Sequence, residues 1–121
     1  MGVWRTIDDA TGKGKALVRI VDSAGILSGT IEHLFDPDPK WNGLCDKCRD
    51  HRKDQLVLGM AILTNARKDG EQYKDGEILD PENGRVYRCT LRLTDDGNKL
   101  EVRGYIGIAI FGRTQTWVRE K

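Results

Sequence analysis

The chain has 121 residues, a length that suits one domain spanning 1–121 and a core that needs no staples. Its 20 basic and 19 acidic residues are spread along the chain and leave a formal net charge of +1, which argues against a general nucleic-acid binder and a polybasic membrane clamp. No apolar run approaches the ~20 residues of a membrane-spanning helix, and 14 glycines punctuate short segments as an all-β chain requires.

Met1-Gly2 formally allows myristoylation, but Gly2-Val3-Trp4 reads as the opening of a first strand, Val3 to Ile7. Asp8 to Gly14 is a turn-rich loop whose Gly12-Lys13-Gly14 lacks the spacing and following helix of a phosphate loop. Ala16, Val18 and Ile20 alternate with Leu17, Arg19 and Val21 in a second strand. Asp22 to Gly25 turns into a third, Ile26 to Leu34, with Leu27, Ile31, His33 and Phe35 expected on one face. Asp36-Pro37-Asp38-Pro39 stops the ladder, because proline has no amide donor and restricts its predecessor.

Lys40 to Asp54 is the one long irregular stretch, and such loops tend to be functional. Gln55 to Thr64 shows little alternation and is predicted to be a strand covered on both faces. A turn at Arg67 to Gly70 and a weakly patterned strand, Glu71 to Leu79, follow.

Gly76 to Gly107 reads as three antiparallel strands joined by tight turns. Asp80-Pro81-Glu82-Asn83-Gly84 places proline where φ is near −65° and Asn-Gly where a left-handed φ is needed. Asp95-Asp96-Gly97-Asn98 supplies turn chemistry again, without a proline. Tyr87, Cys89, Leu91 and Leu93 share one face, opposite Arg88, Thr90, Arg92 and Thr94, and Leu100 and Val102 continue the pattern. Ile106 to Gly112 and Arg113 to Arg119 complete the β-rich ending.

About eight short strands and no amphipathic helix predict an all-β fold, a single antiparallel up-and-down β-barrel. An open curled sheet or a sandwich is the alternative. A barrel of this order holds side chains or one small ligand. The residues expected to contact such a molecule are Trp41, Met60, Tyr87, Arg113, Gln115 and Trp117. Trp4 and Trp117 could meet where first and last strands close, with Arg113 or Arg119 over an indole; ordinary barrel-end packing is the simpler expectation.

Cys45-Asp46-Lys47-Cys48 admits three readings. A local disulfide in an oxidising compartment is one. Zinc on Cys45, Cys48 and His51 is the second, although a structural site would want a fourth ligand. A redox dithiol favoured by Arg49, His51, Arg52 and Lys53 is the third. Cys89, between Tyr87 and Leu91, is expected to be a buried, inert thiol. No nucleophile elbow, metalloprotease motif or His-acid pair points to an enzyme, and no cofactor other than the alternative zinc is implied.

The strings GVWRTIDDATGKGKALVRI, CDKCRDHRKDQLVLGMAIL, ILDPENGRVYRCTLRL and KLEVRGYIGIAIFGRTQTWVR closely resemble the bacterial family called domain of unknown function 2147. That resemblance covers nearly the whole chain. It implies a leader peptide, absent from this sequence, and hence export to the periplasm or secretion; the family's biochemical activity is not established. Gly2, Trp4 and a late arginine (Arg113 or Arg119) also bear a fainter likeness to lipocalins, which implies a barrel and a small ligand. Three functions are therefore carried forward: an exported barrel binding a small apolar molecule, a zinc- or thiol-dependent module, and an envelope protein acting through the loop 40–54.

Overall fold

The computed structural model describes residues 1–8, 11–105 and 113–120. Its strands are β1 (Gly2–Ile7), β2 (Gly14–Ser23), β3 (Ile26–Leu34), β4 (Ala61–Asp69), β5 (Gln72–Asp80), β6 (Arg85–Thr94), β7 (Lys99–Tyr105) and β8 (Arg113–Arg119). All eight form one closed ring in sequence order. The ring is an up-and-down barrel, because alternation along each strand leaves one apolar face and closure is the arrangement that buries all eight without an exposed edge. Strand directions alternate, so the barrel has two unlike ends. The turn end carries the N-terminus, the β2–β3, β4–β5 and β6–β7 turns and the end of β8. The loop end carries the β1–β2, β3–β4 and β5–β6 connections.

Alternation places Ala16, Val18 and Ile20 of β2 inside, joined by Leu27 and Ile31 of β3, Leu63 and Ala66 of β4, Cys89 and Leu91 of β6, and Leu100 and Val102 of β7. Each large aliphatic among them contributes about 2 kcal/mol by leaving water. Four sequence expectations are corrected. Residues 55–60 are not a strand: Gly59 takes φ +86°, Leu56 and Leu58 stand 64% and 54% exposed, and the strand begins only at Ala61. An apolar run carries no information about pairing, and here the chain is still returning from its long connection. β4 then runs through Asp69, since a two-residue turn at Gly70 and Glu71 suffices to start β5.

His33 faces out rather than sharing a face with Leu27 and Ile31. A register shift opposite Leu17 and Val18 brings Leu34 against Ala16, and the His33 ring meets Phe35 edge-on at 4.8 Å. Leu93, at the end of β6, is 40% exposed. Weak alternation in β4 and β5 has a local cause: Asn65 and Asp75 adopt left-handed φ of 62° and 59°, producing bulges that reset the period. The predicted strand Ile106 to Gly112 lies outside the described residues.

At the turn end β1 closes on β8 through Trp4–Arg119 and Arg5–Val118. The Arg119 guanidinium lies 4.4 Å from the centre of the fully buried Trp4 ring. It also donates to the Gly97 carbonyl at 2.9 Å and to the Met1 carbonyl at 2.8 Å. Of the two arginines considered from sequence, Arg119 takes this place. One cation thereby ties together the N-terminus, the β6–β7 turn and the last strand. Tyr73, nearby, donates its hydroxyl to Asp22 at 3.0 Å; burial, then the Asp22 carboxylate, pushes the phenol pKa up.

Cys89 is the buried free thiol that alternation predicts. Its sulfur lies where a Cβ at Gly76 would approach within 2.8 Å, so the β5 bulge and the thiol fill one space. Burial, with a smaller effect of Glu77, pushes the Cys89 pKa up to about 12. The thiol is neutral in the folded state and ionises near its ordinary pKa when unfolded. Its contribution to stability is therefore whole below about pH 8.5 and is lost as pH rises through the folded value. Denaturant titrations should show stability falling between about pH 9 and 12, and Cys89→Ala should flatten that fall. A thiol reagent should label the native protein only slowly and find one thiol after unfolding without reductant.

Candidate functional site

The interior at the turn end and waist is filled by Trp4, Ile20, Leu27, Leu91, Leu100 and Trp117. Any recess must lie at the loop end. There the register of β6, β7 and β8 builds one interior wall. Cys89 opposes Gly104, Gly104 opposes Arg113, Val102 opposes Gln115 and Leu100 opposes Trp117, so these residues share the inward side. Tyr87 continues that side of β6, and a Cβ at Gly104 would lie 3.6 Å from the Tyr87 Cβ. The wall grades from Trp117, 3% exposed, through half-buried Gln115 to exposed Arg113 at the rim. The Trp117 indole donates to the Gln115 side-chain oxygen at 3.3 Å, and Asn83 donates to the Tyr87 hydroxyl at 3.0 Å. A greasy floor beneath a few fixed polar groups is the usual make-up of a small-molecule site.

The β3–β4 connection folds over this end. Cys45 and Cys48 are bonded to each other and almost wholly buried. Cys45 exchanges backbone hydrogen bonds with Gln55 and Asp54 at 2.8 Å, closing the loop on itself. Val57, Leu79 and the disulfide pack into the core cluster. Gly84 of the β5–β6 turn sits directly against the Lys47 carbonyl, where any side chain would overlap it. Lys15 of β2 forms an ion pair with Glu82 of the same turn, joining strands that are not neighbours in the ring. The turn and the disulfide loop therefore hold each other across the loop end.

Outside, two shallow grooves adjoin. One, of about 400 Å³, is lined by His51, Arg52, Leu56, Leu58 and Met60 among others. The second, of about 440 Å³, is lined by Arg49, Asp50, Gly84, Arg85 and Val86. The Asp50–Arg52 ion pair, at 2.6 Å, joins them. Hydrogen bonds from Arg52, side chain and then backbone, hold the Asp50 pKa down to about 2.

Of the residues expected to contact a ligand, Tyr87, Arg113, Gln115 and Trp117 share the interior wall. Met60 is buried on the far side at the entry to β4, its carbonyl accepting from the Ile31 amide at 3.0 Å. Trp41 pins its own loop, donating from the indole to the Leu44 carbonyl at 3.0 Å, and is 36% exposed. His51 is exposed, and with the two sulfurs bonded together neither is a thiolate that could join it on zinc. Among the described residues no three His, Cys, Asp or Glu side chains converge as a metal site. Gly104 was not singled out from the sequence. Its one signal was a glycine interrupting a strand that otherwise alternates, a mark of close approach or of space left beside a neighbour.

A closed eight-stranded up-and-down ring of this size is a lipocalin-like barrel. The chain belongs to the family described as "Uncharacterized protein conserved in bacteria (DUF2147)", whose model matches residues 2–119. Among solved structures it is similar to protein HP1028 from Helicobacter pylori, described as belonging to the lipocalin family. The TM-score is 0.80 at 19% identity, over 99% of this chain and 82% of that one. No curated protein matches. At that identity the likeness speaks to fold alone.

Proposed function

We propose that this protein is an exported, non-enzymatic barrel that binds a small, largely apolar molecule at the loop end of its interior. The observation that carries the reading is the graded inner wall of Trp117, Gln115, Tyr87 and Arg113 around Gly104, which brings no side chain of its own. The apolar part of a ligand would rest on Leu91, Val102 and Trp117, and its polar end would meet the rim. The buried Cys45–Cys48 disulfide supports action in an oxidising compartment.

Titration with the apolar fluorophore N-phenyl-1-naphthylamine tests this. Saturable one-to-one enhancement is expected, with quenching of the Trp117 emission. Gly104→Leu should abolish it while leaving circular dichroism unchanged, because Gly104 has an ordinary φ and a Cβ there meets nothing closer than 3.6 Å. Enhancement that never saturates, or survives Gly104→Leu intact, would remove the interior as the binding place.

A further inference from the structure

We propose that the outer surface of the disulfide loop docks the barrel, loop end first, on an anionic lipid bilayer. Leu56 and Leu58 lie two residues apart and are 64% and 54% exposed. A loop with a choice buries two leucines; here the buried alternates are Val57 and Met60, at 2% and 6%, which leaves the leucines pointing outward. Across the Asp50–Arg52 pair lies the second groove, flanked by Arg49 and Arg85 with Val86, itself 41% exposed. Neither Arg49 nor Arg85 is paired with a carboxylate among the described residues. Asp50, the acid in that groove, is already committed to Arg52. The surface thus offers apolar side chains to an acyl boundary and uncommitted guanidiniums to phosphates from two grooves joined by the Asp50–Arg52 pair.

Two features favour a bilayer over an acidic peptide. The ring is closed, so no strand edge is open to pair with an extended chain. Leu58 stands on a turn with Gly59 exposed beside it, and Leu56 bridges to Leu44, so the two flank a shallow groove rather than a deep one that would grip a helix. Apolar insertion beside cations is how peripheral elements settle at a headgroup boundary. This inference rests on the proposed interior site only for its consequence: the loop end is where that site opens, so docking would present the mouth to the membrane.

Sedimentation with vesicles of phosphatidylcholine alone and of phosphatidylcholine containing phosphatidylglycerol is the test. Partition is expected only with the anionic vesicles and should weaken in high salt. Leu56→Ser/Leu58→Ser and Arg49→Glu/Arg85→Glu should each weaken it by about tenfold or more. Both pairs are surface substitutions, so circular dichroism and fluorophore binding should be retained. Gly104→Leu should sediment like the unmodified protein, which separates failure of docking from failure of the interior site. Equal partition into both vesicle types, full binding by either double variant, or stronger retention on a polyglutamate matrix than on the anionic vesicles would overturn the proposal.

Discussion

Gly84→Ala is expected to destabilise the protein by about 3 kcal/mol or more, lowering Tm by roughly 10 °C. Two effects add. Gly84 sits at φ +73°, a conformation that side chains other than glycine adopt only under strain, and the new Cβ would overlap the Lys47 carbonyl and lie 2.9 Å from the Cys48 amide nitrogen. The clash is with backbone, so no rotamer change relieves it. Gly97→Ala separates the contributions. That glycine has φ +83° with nothing within 4 Å of a built Cβ, so only the backbone term, about 1 kcal/mol, should appear. Because the extra loss in Gly84→Ala arises at the disulfide loop, dithiothreitol should also reduce Cys45–Cys48 faster in that variant. Equal melting temperatures for the two variants would mean that the turn does not support the loop.

Trp4→Ala should cost about 3–5 kcal/mol, since the indole is fully buried where β1 meets β8 and its removal leaves a large cavity. Arg119→Met, which keeps much of the aliphatic stem, should cost about 1–3 kcal/mol by leaving the Gly97 and Met1 carbonyls without their donor. The double variant should be less destabilised than the sum by about 1 kcal/mol, the coupling of a desolvated cation to an indole face. Equilibrium denaturation of the four proteins measures this directly, and strict additivity would show that Arg119 serves the carbonyls alone.

The barrel is packed solid at its waist, while one wall of its interior is graded in polarity. Inward positions on β8 change from Trp117 to Gln115 to Arg113 over five residues, so polarity rises toward the loop end along a single strand. The disulfide loop folds over that end, with Gly84 of the β5–β6 turn against the Lys47 carbonyl. Under the two proposals, a binding site inside the loop end and a dock on the loop's outer face, one end of the molecule would be responsible for both contact and uptake.

The run of β5, β6 and β7 was legible because its signals are local. Gly84 and Gly97 take the left-handed φ of 73° and 83° that their turns demand, and period-two patterning set Cys89, Leu91, Leu100 and Val102 inward as expected. The same local chemistry made the Cys45–Cys48 bridge one of three readings from sequence alone. Other features depended on partners distant in the chain. Whether Leu56 is buried turns on where β4 begins, and that is set by its pairing with β3 rather than by its own hydropathy. Bulges at Asn65 and Asp75 moved side chains between faces at residue types that tolerate a left-handed φ without requiring it. Arg119 was distinguished from Arg113 only by register, which seats one at the closing seam and the other at the rim. By itself, then, the sequence determined strand periodicity, turns, the buried thiol and the all-β class, all consequences of chemistry within a few residues. Tertiary structure decided that the ring closes, which arginine seals it and which leucines meet the outside, because each of these depends on a neighbour supplied by a different strand.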